Sequence, residues 1–139
     1  MATSSGLGGE SGMAAVEFAL VAPLLLVLAF ATVAYGIYFA VWIAVTEAAA
    51  VGARASVAGL TDVERQTIAT QEVASFFASY GPMLDATAYK LTCEKPSNGV
   101  LKVSVTYDMS GFNLAMIGGL LPVPSTKPTA SVTVSNGGL

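Results

Sequence analysis

The residue that first suggests chemistry is Glu17, because it is the one charged residue between Met13 and Val45. A carboxylate inside an apolar segment is costly unless it has a positively charged partner or lies near lipid headgroups. The macrodipole also favours an acid at the N-terminal end of a helix, by about 0.3–1 kcal/mol. Glu17 is therefore either one half of an ion pair or an interfacial acid.

The segment that follows is long enough to cross a membrane. No charged residue occurs from Phe18 to Val45. As a helix this segment is about 42 Å long, compared with about 30 Å of bilayer hydrocarbon. A cleavable secretory signal has a basic region and a shorter apolar core of about 7–15 residues. The sequence therefore predicts a transmembrane helix with a carboxylate close to its N-terminal end.

The residues around Glu17 resemble the class III signal of type IV prepilins. Gly12 is followed at the fifth position by Glu17 and then by a continuous apolar helix. In that family the leader is cut after the glycine. The resemblance implies cleavage of the Gly12–Met13 bond by a prepilin peptidase, with Met13 as the new N-terminus.

Two further stretches resemble TadE-like proteins, the minor pilins (pseudopilins) of tight-adherence (Tad) pilus systems. Residues 15–26 contain Glu17, then Phe18, then Pro23 and a leucine run, and residues 47–54 end in Gly-Ala-Arg. The resemblance implies that Glu17 and Phe18 act in assembly. It also implies other pilins and the Tad assembly platform as partners.

The same resemblance implies a location. The protein would cross the bacterial inner membrane once, with its head outside the cytoplasm, and then reach the periplasm or a surface pilus. The leader departs from the family pattern, because residues 1–12 contain Glu10 and no lysine or arginine. The first basic residue is Arg54, so the positive-inside rule opposes this orientation. Residues 1–11 are rich in glycine and serine, and we expect them to be unordered until they are removed.

Composition excludes several classes of protein. The 139 residues are 54% hydrophobic and 11% charged, with a net charge of −3 and no histidine. The six lysines and arginines form no cluster, which argues against nucleic-acid binding. With one cysteine and no histidine, histidine-based catalytic triads, Cys–His dyads and nearly all zinc sites are ruled out. Asp85, Glu94 and Asp108 form no recognisable constellation, so we expect no enzyme activity, cofactor, metal or small-molecule substrate.

Small residues recur at every fourth position along the long helix, which allows close approach of another helix. These residues are Gly36, Ala40, Ala44, Ala48 and Gly52. We expect them to pack against identical or related helices. Pro23 predicts a kink, while Tyr35, Tyr38 and Trp42 indicate either an aromatic belt at the outer headgroups or ordinary packing.

A second helix is expected after Gly59. The segment from Thr61 to Glu64 is typical of a capping box. Apolar residues then follow at helical spacing, and Gly81 and Pro82 end the pattern. These apolar residues are Ala69, Val73, Phe76, Phe77 and Tyr80, whereas the polar residues, including Glu64 and Arg65, are expected to face mostly away from them.

Beyond Pro82 the apolar residues alternate, which predicts strands around 89–94, 101–108 and 130–135, with a hairpin turn at 96–99. Cys93 falls on the buried face, where packing is its expected role. The apolar segment Gly111–Pro128 either covers the sheet or meets a partner. The predicted fold class is α+β: a long N-terminal transmembrane helix, an amphipathic helix and a small antiparallel three-stranded sheet, as in pilins.

The predicted organisation is a leader at 1–12, a transmembrane helix at 13–45 and an extracytoplasmic pilin-like head at 46–139. We expect the head to fold without the long helix. Two interpretations stay open. In the first, the chain is a cleaved minor pilin in which Glu17 neutralises the new amine of Met13. In the second, it is an uncleaved single-pass membrane protein whose head is a binding module in an envelope assembly complex.

Overall fold

The computed structural model describes residues 7–112 and 125–135, with the side chains of the first helix described from Gly12 onward. Two helices and three strands follow one another along the chain, with a one-turn 3₁₀ helix after α2 and another after β2. The elements are α1 (Leu7–Ser56), α2 (Asp62–Ser79), β1 (Tyr89–Ser97), β2 (Val100–Tyr107) and β3 (Thr129–Ser135). The predicted α+β class is confirmed.

Helix α1 begins at Leu7 and runs without a break for 50 residues. The predicted start near Met13 is therefore wrong, and so is the expected lack of order for residues 7–11; residues 1–6 lie outside the described part of the chain. Extending an existing helix by one residue costs far less than starting one, so α1 continues through these glycine-rich residues. Pro23 lies within α1, and the kink expected there stays a prediction.

Hydroxyl groups within α1 are satisfied by the helix itself. Thr32 Oγ1 donates to the Leu28 carbonyl at 2.9 Å, and Thr46 Oγ1 donates to the Trp42 carbonyl at 2.8 Å. In lipid, such bonds spare the polar atoms the cost of an unpaired state. Both threonines are therefore compatible with apolar surroundings.

The connection from α1 to α2 is a tight turn that needs Gly59. A Cβ at this position would lie 2.7 Å from the Arg65 backbone nitrogen, which is too close for any side chain. The predicted capping box then opens α2. Thr61 Oγ1 accepts from the Glu64 N–H at 3.2 Å, and the Glu64 carboxylate accepts from the Leu60 N–H at 3.0 Å.

Helix α2 turns back along α1 and buries one face. Ala69, Val73 and Phe77 are buried, as predicted, and Phe76 and Tyr80 are half-buried. The exception is Arg65, which was expected to face mostly away from the apolar residues and is buried. It lies one turn before Ala69 and so on the same helical face.

The sheet has the order β1-β2-β3 with both pairs antiparallel. The β1–β2 hairpin turns at Asn98 and Gly99, where Gly99 has φ +75°. Asn-Gly is the sequence most typical of such two-residue turns. Strand β1 extends through Pro96, where the register shifts between Glu94 and Ser97. Proline is tolerated at such an irregularity on an edge strand.

The inner face of the sheet packs against both helices. The rings of Phe77 and Tyr89 stack with centroids 4.5 Å apart, and the ring of Tyr107 lies 5.8 Å from that of Phe77. Cys93 is half-buried and packs against the core, as predicted for its face. Most of the predicted Gly111–Pro128 segment, residues 113–124, lies outside the described residues.

The C-terminal half of α1 is part of the core of the head. Its buried residues are mostly alanines, which bring the helix axis close to α2 and to β2 and β3. They are Ala34, Val41, Ala44, Val45, Ala48, Ala49, Gly52, Ala53 and Ser56. The predicted boundary at residue 45 therefore falls inside the packed region, and among described residues burial of α1 begins at Ala34.

Candidate functional site

The first part of the candidate site is the exposed N-terminal half of α1. Met13 and Glu17 are separated by one helical turn and so lie on the same face. Side chains in helices lean toward the N-terminus, which directs the Glu17 carboxylate toward Met13. Both residues, together with Phe18, are exposed. The geometry suits an ion pair between this carboxylate and an amine at Met13, from the same chain or from a neighbour.

The Gly12–Met13 bond lies within α1. A Cβ at Gly12 would meet no atom within 4 Å. Glycine in a helix interior is less favourable than alanine by about 1 kcal/mol. With Gly8 and Gly9 in the preceding turn, this is a weak part of the helix, which eases the local unwinding that a peptidase needs.

The same half of α1 presents a large uncovered apolar surface. From Gly12 to Val33, every described side chain is exposed or half-exposed. The large exposed hydrophobic residues here are Met13, Val16, Phe18, Leu20, Val21, Leu24, Leu25, Leu26, Leu28, Phe30 and Val33. By length and composition, Gly12–Ser56 is able to span a membrane. A continuous apolar surface of this size is typical of contact with lipid or with other helices.

The stripe of small residues divides between two environments. Ala44, Ala48 and Gly52 are buried within the protein's own head. A Cβ on Gly52 would lie 2.7 Å from Val73 Cγ2 and 3.3 Å from the Ala69 carbonyl oxygen, so α2 approaches closely at this point. Gly36 and Ala40 are exposed. Only these two are open to a neighbouring helix, and packing between subunits stays a prediction.

Some aromatic residues near the middle of α1 pack against the head, and others are exposed. Tyr38 packs against the core of the head, while Trp42 and Phe39 are exposed. The Tyr38 and Phe39 rings meet edge to face at 5.7 Å. Trp42 therefore retains the exposure that an aromatic belt requires, and Tyr38 serves packing.

Arg65 is the residue that sequence reasoning placed incorrectly. Its side chain is 2% exposed, and its Nε donates to the Ser56 carbonyl at 3.2 Å, at the end of α1. Its Nη1 donates to the Gly99 carbonyl at 3.5 Å, in the hairpin turn, while Nη2 has no hydrogen-bond partner. Arg65 thus joins three elements at the end of the head farthest from the exposed half of α1. Its spacing of four residues from Ala69 was the available signal.

The three acids weighed as catalytic candidates each serve a local structural contact. Glu94 pairs with Lys102 at 3.2 Å and Asp108 pairs with Lys127 at 3.5 Å. Asp85 accepts hydrogen bonds from the backbone and hydroxyl of Thr87, and these lower the pKa of Asp85.

Asp85 and Asp108 line one cavity of about 510 Å³ with Tyr107. Hydrogen bonds from Ser110 lower the pKa of Asp108. Burial raises the pKa of the Tyr107 hydroxyl, which accepts from the Asp85 N–H at 2.8 Å. Both carboxylates are thus held ionised by neighbouring donors, a state that suits structural contacts better than proton transfer. Among the described residues, no group of three or more His, Cys, Asp or Glu side chains is placed to hold a metal ion.

In the described part of the chain, one long apolar helix carries a small α+β head at its C-terminal end, and this helix is a candidate membrane anchor by length and composition. Residues 12–54 match the family model described as TadE-like protein. The resemblance drawn from the two motifs is thereby confirmed over a segment that begins at Gly12 and ends near the end of α1. The match covers fewer than half of the 139 residues and leaves α2 and the sheet outside it.

The TadE-like family is a structural, pilin-type family of Tad pili, and the match suggests a location in the cell envelope or a pilus. No curated protein matches the chain, and no solved structure matches it.

Proposed function

We propose that this protein is a minor pilin (pseudopilin) of a Tad-type surface pilus, cut between Gly12 and Met13 and contributing to pilus assembly or adhesion. The observation that carries the proposal is the family match, which begins at Gly12 and includes Glu17 and Phe18. The exposed apolar half of α1 supports it, because the same surface serves first as a membrane anchor and then as a contact in a helical bundle.

In the proposed mechanism, cleavage creates a positively charged amine at Met13. A new amine at the start of a helix has no intrahelical acceptor, and in an apolar bundle it needs a negative partner. Glu17, one turn along the same face, supplies one carboxylate for one amine. Prepilin peptidase, the other pilins and the Tad assembly platform are the proposed partners. The head lies outside the cytoplasm in this proposal.

One observation favours the alternative, an uncleaved single-pass protein whose head binds within an envelope complex. The Gly12–Met13 bond lies inside a regular helix that begins five residues earlier. Such a bond must unwind before a peptidase can bind it.

Processing is tested by Gly12→Val in a host that carries the peptidase. Wild-type protein is expected to start at Met13 by N-terminal sequencing, and the variant to stay full length, because valine adds a branched side chain beside the bond. Gly36→Val is the matched control: it makes the same change on α1, where a Cβ also meets nothing within 4 Å, and it should be cut normally. Wild-type protein that still starts at Met1 would replace the pilin proposal with the uncleaved anchor.

A further inference from the structure

The head is joined to the anchor without a flexible linker. Helix α1 is unbroken from Leu7 to Ser56, and one face of its C-terminal half packs against α2, β2 and β3. The position of the head relative to the membrane is therefore set by where α1 crosses it. This inference rests on the membrane anchor and not on cleavage.

The exposed half of α1 fixes the depth. Gly12–Val33 is the part of α1 in which no residue is buried, and as a helix it is about 33 Å long. This length matches the roughly 30 Å of hydrocarbon in a bilayer. Residues 35–42 then lie at the level of the headgroups, where tyrosine and tryptophan are enriched.

One part of the head lies at this same level. The segment Gly81–Leu84, which we term the proximal turn, follows the end of α2. Met83 and Leu84 line an apolar cavity of about 160 Å³ together with Tyr80 and with Ile37, Ala40 and Val41 of α1. The proximal turn thus lies against residues 35–42 of α1, which are at the level of the headgroups.

The proximal turn has the side chains of a membrane-surface contact. Met83 is 76% exposed, although Leu84 beside it is buried. No charged residue occurs between Val73 and Leu84, and the first one beyond is Asp85. Gly81 has φ +57°, a conformation that few residues other than glycine adopt, and it connects α2 to the 3₁₀ turn that contains Met83.

We propose that the proximal turn rests on the lipid bilayer, with Met83 inserted at the boundary between headgroups and acyl chains. The partner is the lipid surface that already surrounds α1, because the proximal turn continues the apolar surface of the anchor. Asp85 limits the depth: an ionised carboxylate stays in water, and two residues of chain span at most about 7 Å. The contact orients the head before any filament forms.

The test uses full-length chains that carry Cys93→Ala and one introduced cysteine, to which an environment-sensitive fluorophore is attached. Each labelled protein is reconstituted in phosphatidylcholine vesicles with and without quencher-labelled lipids. The three sites are Met83→Cys, Val63→Cys and Leu25→Cys. Val63 is the matched control, because it is 75% exposed and lies near the opposite end of α2. Leu25, at 56% exposed, reports the anchor.

We expect a blue-shifted emission at Met83 that is quenched by labels near the headgroups, and quenching of the Leu25 probe by labels deep in the bilayer. The Val63 probe should show emission as in water and little quenching. A Met83 probe that behaves like Val63 while Leu25 is quenched would overturn the inference and leave the anchor intact.

A Leu25 probe with emission as in water would overturn the anchor and the inference together. A blue-shifted Met83 probe that no lipid label quenches would show that protein and not lipid covers the proximal turn, and would also overturn the lipid contact. Circular dichroism of each labelled variant checks that its fold is unchanged.

Discussion

Glu17 is the one carboxylate in a stretch of α1 that is otherwise uncharged from Met13 to Thr46. If it is only an interfacial acid, its loss removes a dipole interaction of under about 1 kcal/mol. If it pairs with the Met13 amine inside a bundle, its loss leaves a buried charge unpaired, at a cost of about 3–5 kcal/mol. The two roles therefore differ measurably.

Replacing Glu17 with glutamine tests which role holds. We expect membrane insertion and cleavage to be retained, and incorporation into sheared filaments to fall by a factor of about a thousand. Glu47→Gln is the matched control, since it neutralises an exposed acid farther along the same helix. The measurement is the amount of this protein in filaments relative to membranes, together with pilus number. Normal incorporation of the glutamine variant would show that assembly does not need the charge.

Arg65 is a buried cation. Among the described residues, no acidic side chain lies within hydrogen-bonding distance of its guanidinium. Its hydrogen bonds go to backbone carbonyls at Ser56 and Gly99. The Ser56 carbonyl also accepts from the Gly59 N–H at 3.2 Å, and Gly99 lies in the exposed hairpin turn. The two carbonyls thus pair the Nε and Nη1 donors of Arg65, which its burial would otherwise leave without partners.

We expect Arg65→Ala to lower the free energy of unfolding of the head by about 2–4 kcal/mol, because the hydrogen bonds from Nε and Nη1 are lost and a cavity is left. Denaturant titration of the detergent-solubilised full chain, followed by circular dichroism, measures this change. Arg54→Ala removes an exposed arginine from the last turn of α1 and should shift stability by less than about 0.5 kcal/mol. Equal effects of the two substitutions would show that burial of Arg65 contributes nothing.

At the scale of elements, α1 and α2 approach closely where α1 has glycine. The nearest atoms to a Cβ on Gly52 are Val73 Cγ2 and the Ala69 carbonyl oxygen. Valine has a stiff side chain and the carbonyl belongs to the backbone of α2, so neither moves easily. An added methyl group at this position must push the helices apart.

Alanine substitution at two glycines separates helix propensity from packing. Gly36→Ala meets nothing within 4 Å and should stabilise α1 by up to about 1 kcal/mol. Gly52→Ala gains the same propensity but overpacks the interface, at about 1–3 kcal/mol, and should destabilise the head on balance. Thermal unfolding in detergent should show a higher melting temperature for Gly36→Ala and a lower one for Gly52→Ala than for wild type. A higher melting temperature for Gly52→Ala than for wild type would contradict the packing argument.

At the scale of the whole molecule, the head and the anchor share one helix. Val45, Ala48, Ala49 and Ala53 of α1 are fully buried. Removing α1 would expose the faces of α2 and the sheet that these residues cover. The structure therefore argues against the expectation that the head folds without the long helix.

Two truncated chains test this revision. A chain of residues 57–139 should give a spectrum of unordered protein and no cooperative thermal transition, because it lacks one layer of the core. A chain of residues 34–139 keeps the buried half of α1 and should unfold cooperatively with mixed helix and strand signal. Cooperative unfolding of the shorter chain would restore the independent head predicted from the sequence.

Much of the architecture was predictable because it depends on local patterns. The apolar run marked α1, Thr61 and Glu64 marked the start of α2, and Asn98 with Gly99 marked the hairpin, each through interactions within a few residues. The candidate site at Gly12, Met13 and Glu17 was also a local pattern, and the family match covers it.

The tertiary structure alone decided which parts of α1 face the head. Periodicity identifies a face of small residues, but it does not say whether that face meets the same chain or another, because both contacts favour close approach. Packing assigned Ala44, Ala48 and Gly52 to the head and left Gly36 and Ala40 exposed. It also buried Arg65, since the carbonyls that its guanidinium contacts belong to residues 9 and 34 positions away along the chain, a relation that only the folded chain creates.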